Sequence, residues 1–324
     1  MAGTPDVSVV VSTYNRRDRL PNLLDALRRQ TLPRDRFEVV IVNNAATDDT
    51  AELLAEAERA GDLQLRVVTR TENVGRAQGR DDGWRAASGA LIAFTDDDCE
   101  PAPTWLERGL ELHRANPEAI IQGRTEPIER ELAAVTERER PFTRTIRVTE
   151  PDPTYPTCNV FFPRALLERV GGFDLETFGT GQGGEDSDLA WRAIKAGAPV
   201  VFDRDALVHH AVNYMGPIGK LKLAQSWDLA AIARHPELRR ALFFRGPFWK
   251  HSHYLLARAA LALLVPKRLW PLRAWLALPY LRLLIQRGRV EGGGPLLAPY
   301  YVVHDLAEMY AVARGAVRYR TPLV

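Results

Sequence analysis

Three consecutive aspartates, Asp96, Asp97 and Asp98, follow the short apolar run at residues 90–94. Such a run predicts a buried strand, and carboxylates at its C-terminal end lie in the crevice where open α/β sheets bind ligands. Adjacent carboxylates repel one another unless a cation neutralises them. Because divalent metals prefer oxygen ligands, we interpret the triplet as a candidate site for a metal that accompanies a diphosphate. A solvated acidic turn is the alternative.

A second group of carboxylates follows residues 179–184, which are rich in glycine and predict a flexible stretch. Glu185 and Asp186 precede a predicted helix at residues 189–196, and either carboxylate would face the same edge of the sheet as the triplet. A general base has to come within hydrogen-bond distance of the hydroxyl that it deprotonates. We therefore assign the catalytic role to this pair, and keep acidic capping of the helix as the alternative.

Two histidines and one arginine complete the candidate residues. His209 and His210 follow the last predicted strand, where one of them would add a ligand to the metal. We name His209 as that ligand, although the sequence does not decide between the two neighbours. Arg80 lies on a predicted helix, and its guanidinium matches the oxygens of a diphosphate. A solvated position on the helix surface is the alternative for Arg80.

Strands and helices alternate through the first two thirds of the chain and position these residues. The predicted strands occupy residues 7–11, 37–42, 63–69, 90–94, 119–123, 157–162, 200–203 and 206–208. The predicted helices occupy residues 20–27, 51–60, 75–87, 101–115 and 189–196. This alternation predicts an α/β fold with a mainly parallel sheet, helices on both faces and polar residues gathered at one edge. Residues 126–156 are charged and weakly periodic, and predict a mobile loop or insertion.

The C-terminal part differs in charge and in pattern. From Arg239 to the end the chain has 14 Lys and Arg against 3 Asp and Glu, whereas the rest has 29 against 38. Arginine and proline interrupt the apolar segments at residues 255–265 and 269–285, so neither segment predicts a membrane-spanning helix. Their basic and aromatic flanks instead match helices that lie in a membrane interface. A helical cap over the sheet and a homodimer interface are the alternatives.

Composition and cysteine usage restrict the class of protein. The 324 residues are 46% hydrophobic and 26% charged, which is typical of a globular chain with one large domain and an appendage. Cys99 and Cys158 cannot form a disulfide framework, and residues 1–6 show no signal-peptide pattern. We therefore expect a cytoplasmic protein, peripheral on the inner face of the cell membrane where the C-terminal helices bind lipid. The basic residues lie among apolar helices, which disfavours a nucleic-acid partner.

Five ordered segments between residues 7 and 212 resemble family 2 glycosyltransferases, which have the A-type, nucleotide-diphospho-sugar transferase fold. They are SVVVSTYNR at residues 8–16, VVIVNNAATDDT at residues 39–50, Asn73-Val74-Gly75 with Arg80 and Gly89, the triplet of aspartates, and Gly184-Glu185-Asp186. No single segment is specific, but the ordered set is. The resemblance implies a Rossmann-like catalytic domain with a mainly parallel sheet over residues 1–215, and an α-helical extension over residues 216–324.

The resemblance also implies roles for individual residues. Asp186 would be the catalytic base, with Glu185 beside it, and Asp98 and Asp96 would hold Mg²⁺ or Mn²⁺ together with the diphosphate. A larger set would contact the nucleotide-sugar donor: Thr13, Tyr14, Asn15, Arg16, Asn43, Arg80, Asp96 and Asp97. Within the triplet, Asp96 and Asp98 would have the main roles in binding, and Asp97 a minor one. Asn43 stands where the family usually has an aspartate, which leaves the nucleotide base open, and Asn159 and Phe161 would border the sugar and the acceptor.

We therefore expect an inverting glycosyltransferase of the hexosyltransferase type. It would move a sugar from a nucleotide-diphosphate sugar to the hydroxyl of a saccharide, lipid-linked or small-molecule acceptor, in the glycosylation of cell-surface glycans, glycolipids or secondary metabolites. A nucleotidyltransferase of the same fold class is one alternative, but the loop after the first strand lacks the glycines that cradle phosphates. A catalytically silent, membrane-bound nucleotide-sugar-binding protein is the other, and the intact Glu185-Asp186 pair disfavours it.

Overall fold

The computed structural model describes residues 4–179, 183–226 and 229–321, and these residues form two compact units. The first unit comprises the described residues up to Ile128 together with Thr145–Ala211. The second comprises Glu129–Arg144 and the described residues from Val212 onward. Residues 180–182, in the middle of the predicted glycine-rich stretch, lie outside the described part of the chain.

Strands and helices alternate through the first unit, and helices dominate the second. In chain order the strands are β1 (Val7–Thr13), β2 (Phe37–Asn43), β3 (Leu65–Thr69), β4 (Leu91–Phe94), β5 (Cys99–Pro101), β6 (Ile120–Pro127), β7 (Thr143–Arg144), β8 (Val160–Pro163), β9 (Val200–His210) and β10 (Asn213–Tyr214). The helices are α1 (Leu20–Arg28), α2 (Thr50–Ala60), α3 (Gly75–Ala86), α4 (Trp105–Ala115), α5 (Glu129–Ala134), α6 (Arg164–Val170), α7 (Leu175–Phe178), α8 (Glu185–Lys195), α9 (Gly216–Gln225), α10 (Ala230–Arg234), α11 (Pro236–Leu242), α12 (His251–Leu261), α13 (Trp270–Val290) and α14 (Ala298–Arg318).

The first unit is built on an eight-stranded sheet in the order β3-β2-β1-β4-β8-β6-β9-β5. The strands β3, β2, β1 and β4 are parallel neighbours, and β6 is parallel to β9. The strand β8 is antiparallel to both β4 and β6, and β5 is antiparallel to β9. The predicted α/β fold with a mainly parallel sheet is confirmed, and so is the helical C-terminal region. Because β1, β2 and β4 are parallel, their carboxyl ends meet at one edge.

Helices cover both faces of the sheet because successive side chains of each strand point to opposite faces. In β1, Val9 and Val11 pack in one apolar core with α1, α2 and α4. Val10 points the other way and packs in a second core with α3, α6 and α8. Both cores consist of buried aliphatic and aromatic side chains, which is why these strands are continuous apolar runs in the sequence.

Two glycines bring α3 directly onto the parallel strands. A Cβ atom on Gly79 would overlap Ser12, and one on Gly83 would overlap Val10. Because neither residue has a side chain, the helix approaches β1 and β2 closely. This approach holds the face of α3 that carries Arg80 beneath the edge formed by the carboxyl ends of the strands.

Two regions differ from the local pattern of the sequence. Residues 126–156, predicted as a mobile loop or an insertion, contain the end of β6, the helix α5 and the short strand β7, and Glu129–Arg144 belongs to the second unit. The two strand pieces predicted between residues 200 and 208 form one strand, β9, whose pairing with β6 shifts register between Gly123 and Arg124. The shift interrupts the alternation of buried and exposed residues, and that interruption resembles a break between two strands.

The second unit is mainly helical. Leu255, Tyr280, Leu284 and Tyr301, from α12, α13 and α14, form a buried apolar cluster in this unit. No helix in the described ranges combines the length and the apolarity needed to cross a bilayer. Several large apolar side chains of α12 and α13 and of the loop between them are exposed.

Candidate active site

The buried guanidinium of Arg80 joins three carboxylates that are far apart in the sequence. Its Nη2 lies 2.7 Å from Asp96 Oδ1, and its Nη1 lies 3.0 Å from Glu185 Oε1. The same Nη1 lies 3.4 Å from Asp186 Oδ1. Burial acts to lower the pKa of Arg80, but the charges of Asp96, Asp186 and Glu185 outweigh it and raise that pKa above its ordinary value. Arg80 is therefore a permanent cation between the triplet and the start of α8.

Arg80 has the reciprocal effect on Asp96, the first residue of the triplet. Burial acts to raise the pKa of this carboxyl, and the Arg80 charge and hydrogen bond outweigh burial and lower it. Asp96 thus stays ionised although its side chain is only 26% exposed. The contact of Arg80 with a diphosphate stays a prediction. The structure adds that the same side chain binds Asp96 and the two carboxylates at the start of α8.

The two acidic residues that open α8 have different environments. Glu185 is 2% exposed and is enclosed by two arginines, with Arg76 Nε at 2.8 Å from its Oε1 and Arg80 Nη1 at 3.0 Å. The side chain of Asp186 is 23% exposed, and its Oδ2 accepts a hydrogen bond of 3.1 Å from the Thr157 amide. Only Asp186 therefore combines a fixed orientation with access from outside the protein.

The pKa of Asp186 is raised to about 6. Burial is the main cause, and the neighbouring charge of Glu185 adds to it, while Arg80 opposes both. A carboxylate with this pKa is ionised at neutral pH and is more basic than an ordinary aspartate. These are the properties of a general base.

Asp98 faces a histidine across the edge of the sheet. The distance from Asp98 Oδ1 to His210 Nε2 is 3.6 Å, and both side chains are buried. His210 Nδ1 lies 2.9 Å from the Ala211 carbonyl oxygen. An Nδ1–H that donates to this carbonyl leaves the Nε2 lone pair directed at Asp98, which is the tautomer that binds a metal.

His209 is not the histidine that faces the triplet. Successive residues of β9 point to opposite faces of the strand, so His209 points away from the side on which His210 meets Asp98. Asp98, Cys99 and His210 each offer a ligand atom, and these atoms lie within 4.8 Å of one another. Burial raises the pKa of the Cys99 thiol well above its ordinary value. Mg²⁺ and Mn²⁺ prefer oxygen and nitrogen donors to sulfur, which favours Asp98 and His210 as the ligands.

The loop after β1 brings other predicted residues to the same edge. Arg16 Nε lies 3.3 Å from Asp97 Oδ1. Burial raises the pKa of Asp97 to about 7, against the opposing effect of the Arg16 charge. Asn15 has a positive φ of 53°, and its Oδ1 accepts a hydrogen bond of 2.7 Å from the Thr47 amide, so the two loops are joined. Tyr14 is exposed beside them.

Three predicted residues have a structural role in the fold. Asn43 Oδ1 accepts a hydrogen bond of 3.0 Å from the Ala46 amide and so orders the loop after β2. Asn159 is buried and bonds to Trp105 and to the carbonyls of Arg124 and Ala206. Phe161 packs in the core against Trp105, with 5.0 Å between the ring centroids. The side chains of Asn159 and Phe161 are thus occupied within the fold, and the expectation that their strand borders the sugar and the acceptor stays a prediction.

Arg76 belongs to the site but was not predicted from the sequence; its Nε lies 2.8 Å from Glu185 Oε1. Arg76 precedes Arg80 by four residues, so both lie on one face of α3. The spacing of four residues between the two arginines was the feature of the sequence from which Arg76 could have been predicted. Two arginines on one helix face, together with a later pair of carboxylates, indicate an ion-pair network rather than two independent surface positions.

Comparisons with known proteins identify the family. The family model named "Glycosyl transferase family 2" matches residues 8–171, half of the chain. Glycosyltransferase AglE of Haloferax volcanii is 29% identical over 78% of this chain and 84% of its own length. Validoxylamine A glucosyltransferase of Streptomyces hygroscopicus subsp. jinggangensis is 30% identical over 74% of this chain and 63% of its own length. The chain belongs to glycosyl transferase family 2 and is a glycosyltransferase.

Solved structures share the fold. The mannosyltransferase PcManGT of Pyrobaculum calidifontis, in complex with GDP-Man and Mn²⁺, is 24% identical with a TM-score of 0.58, over 98% of this chain and 88% of its own. Residues 1–349 of S. aureus TarS, in complex with UDP-GlcNAc, are 18% identical with a TM-score of 0.57, over 97% and 91% of the two chains. At these identities the likeness supports the A-type glycosyltransferase fold, with its curled sheet and helical C-terminal region.

Proposed function

We propose that this glycosyltransferase moves a sugar from a nucleoside-diphosphate sugar to an acceptor hydroxyl in a single, inverting displacement, with Asp186 as the general base. The observation that carries the proposal is the environment of Asp186. Its carboxylate is oriented by the Thr157 amide, is accessible from outside the protein, and has a pKa of about 6. Glu185 is enclosed by Arg76 and Arg80, and we assign it the role of positioning these arginines and raising the pKa of Asp186.

The proposed step is balanced in atoms and charge. The acceptor oxygen forms a bond to C1 of the donor sugar, and the bond between C1 and the diphosphate oxygen breaks. Asp186 takes the proton of the acceptor hydroxyl, and the diphosphate leaves with the electron pair. Attack on the face opposite the leaving group inverts the configuration at C1 and requires one carboxylate base.

The donor set at the edge of the sheet fits a divalent cation. Asp98 offers an oxygen and His210 offers an imidazole nitrogen in the tautomer required for binding, and both are acceptable ligands of Mn²⁺. We assign these two residues to Mg²⁺ or Mn²⁺, with Asp96 directed to the ion through water or to the ribose. When bound, the ion stabilises negative charge on the departing diphosphate. The complex of PcManGT with GDP-Man and Mn²⁺ supports this assignment by analogy.

The loops after β1 and β2 are proposed to receive the nucleotide. Thr13, Tyr14, Asn15 and Arg16 lie at the carboxyl end of β1, where ligands bind in open α/β sheets. Arg16 is held by Asp97, and Asn15 bonds to Thr47, so contacts within the protein orient the side chains of this surface. The acceptor is proposed to be the hydroxyl of a saccharide, a lipid-linked sugar or a small molecule.

The change Asp186→Asn tests the base. The amide cannot accept a proton but keeps the shape of the side chain, so donor binding is expected to persist while turnover falls by about 10² to 10⁴. In the wild type, kcat/KM is expected to fall below pH ~6, because Asp186 becomes protonated and loses its function as a base. The measurement is a pH profile of donor turnover, with the donor first found by a thermal-shift screen of nucleotide sugars with Mn²⁺.

A matched control is Glu168→Gln, which makes the same carboxyl-to-amide change at an exposed position of α6. It is expected to retain wild-type turnover and the wild-type pH profile. Wild-type rates in Asp186→Asn would contradict the assignment of the base. Absence of any donor turnover in the wild type, with donor binding intact, would support the catalytically silent alternative.

The neighbouring histidines offer a paired test of the metal site. His210→Gln is expected to weaken Mn²⁺ binding by about tenfold or more, because it removes the nitrogen that faces Asp98. His209→Gln is expected to leave Mn²⁺ binding unchanged. The measurement is a Mn²⁺ titration followed by electron paramagnetic resonance in the presence of GDP or UDP. Equal losses in the two variants would rule out the proposed ligand set.

We further propose that the second unit binds the membrane surface through an apolar patch, defined here as Leu263, Leu264 and Trp270. These side chains are 77%, 81% and 69% exposed. Lys267 and Arg268 lie within the same loop and are exposed as well. Exposed apolar side chains next to basic residues match a surface that inserts among the headgroups of anionic lipids. Peripheral attachment of this kind requires no membrane-spanning helix.

Co-sedimentation with lipid vesicles tests the patch. The double change Leu264→Ser and Trp270→Ser is expected to weaken binding to phosphatidylglycerol vesicles more than tenfold, because each apolar side chain contributes about 1.5–3 kcal/mol when buried. The control is Leu296→Ser, which is 89% exposed and follows the opposite end of α13. Indifference of the wild type to these vesicles, or loss of a homodimer in the double variant, would contradict the proposal.

A further inference from the structure

A cavity of about 410 Å³ in the second unit is lined by more cations than acids. Arg140, Lys220, Lys250 and Arg287 contribute four positive side chains, and Glu291 is the acidic residue of the lining. The remaining wall includes the aromatic rings of Tyr300, Tyr301 and His304, together with Pro141 and Val290. We name this the cationic cavity. All of its lining residues belong to the second unit, and none belongs to the candidate active site.

Two of these cations are fixed from behind by buried carboxylates. Lys250 Nζ lies 2.6 Å from Glu308 Oε1, and Arg287 Nη1 lies 2.9 Å from Asp305 Oδ1. Asp305 and Glu308 are nearly inaccessible to solvent, and neither lines the cavity. Asp305 and Glu308 therefore orient the two cations, and a ligand in the cavity would contact the cations and not these carboxylates.

The other two cations, Lys220 and Arg140, are not fixed in this way by the carboxylates of the described residues. Within the described residues, neither Lys220 nor Arg140 forms an ion pair or a side-chain hydrogen bond. Lys220 is half-buried, and burial lowers its pKa, with Arg144 and Lys250 adding to this effect and Glu291 opposing it. A half-buried cation beside other cations is destabilising unless an anion joins it. Glu291 lies 3.3 Å from Arg287 and acts on Lys220 as well, so this one acid of the lining is shared between two cations.

Two buried polar atoms of the cavity lining lack a well-formed hydrogen bond. The hydroxyl of Tyr301 and Nδ1 of His304 are both buried without a hydrogen bond of good geometry, although Glu291 acts on Tyr301 and Glu308 Oε2 lies 3.8 Å from His304 Nδ1. Tyr301 as a whole is only 2% exposed. Buried polar groups are normally satisfied, so these two atoms at the wall of the cavity are available to the polar atoms of a ligand.

The turn between α13 and α14 gives the cavity its shape. Gly292, Gly293 and Gly294 have φ values of +91°, +79° and +68°, which residues with a side chain rarely adopt. Gly288 has no side chain, and a Cβ atom there would overlap the carbonyl of Gly294. The chain therefore reverses tightly, and Arg287 at the end of α13 comes to the same cavity as Tyr301 near the start of α14.

We propose that the cationic cavity binds a phosphate monoester or diphosphate group. Arginine and lysine are the side chains that bind phosphate oxygens, Arg287 through its fork of donors and Lys220 as a point charge. The aromatic wall would accommodate the apolar part that carries the phosphate. This chemistry is shared by a soluble phosphorylated molecule and by the headgroup of a phosphorylated lipid.

Calorimetric titration of the full chain with inorganic pyrophosphate and glycerol 3-phosphate, in EDTA, tests the proposal. Lys220→Gln is expected to weaken binding by at least about tenfold, since a charge-assisted hydrogen bond is lost. Lys222→Gln, an exposed position on the same helix α9, is the matched control and is expected to bind as the wild type does. Lys220→Arg is expected to restore binding, which separates loss of the cation from a change in folding.

A vesicle arm distinguishes the two sources of phosphate. Weaker binding of Lys220→Gln to phosphatidic acid vesicles, with binding to phosphatidylglycerol vesicles unchanged, would support a lipid monoester as the ligand. An effect confined to the soluble ligands would support a free phosphorylated molecule. The proposal is overturned when the wild type binds none of these ligands, or when Lys220→Gln and Lys222→Gln bind them equally well.

Discussion

The buried guanidinium of Arg80 is the interaction on which the candidate active site depends. It places a fixed positive charge between Asp96, at the end of a central strand, and Glu185 and Asp186, at the start of α8. Without a cation at this point three carboxylates would repel one another in a poorly solvated position. The arginine therefore connects the edge that is proposed to hold the donor to the helix that carries the proposed base.

The position of Arg80 follows from the packing of the helix that bears it. Gly79 and Gly83 let α3 lie directly against β1 and β2, and the arginine between them is enclosed as a result. The same enclosure that makes the charge costly to bury also excludes water and strengthens its effect on neighbouring groups. Arg80 thus lowers the pKa of Asp96, while Asp186, also next to Glu185, keeps a raised one. Two carboxylates that contact one cation are therefore suited to different tasks.

The sequence predicted those parts of the fold that depend on local pattern. Continuous apolar runs identified β1, β2 and β4, and the polar residues after them identified the edge of the sheet. The direction of β8 was not predictable, because hydrophobic periodicity carries no information on whether neighbouring strands are parallel. The choice between His209 and His210 depended in the same way on the pairing of β9 with β5, which only the folded chain defines.

The burial of Arg80 was also beyond prediction from local pattern. Arginine is usually exposed, and the partner that explains its burial, Glu185, is 105 residues away in the sequence. The cationic cavity was not predictable from local pattern either, because its lining comes from separate segments between Arg140 and His304. The residue counts indicated an excess of basic residues near the C-terminus. They could not indicate that four basic residues from separate segments, one of them Arg140, line one cavity.

The neutralisation of Asp96, Glu185 and Asp186 by Arg80 should be visible in the pH dependence of the free energy of unfolding. The measurement is the free energy of unfolding by urea, from pH 5 to pH 8, for the wild type and for Arg80→Met. We expect the variant to be less stable by about 3 kcal/mol at pH 8. The difference should shrink toward pH 5, because the carboxylates left without a cation have raised pKa values in the folded state and take up protons as the pH falls. Arg59→Met, which removes an exposed arginine of α2 whose Nε donates to the Ala55 carbonyl oxygen, should show a smaller loss that does not vary with pH in this way. Equal stability of Arg80→Met and the wild type, or a deficit in stability that is constant across this pH range, would show that Arg80 does not neutralise the three carboxylates.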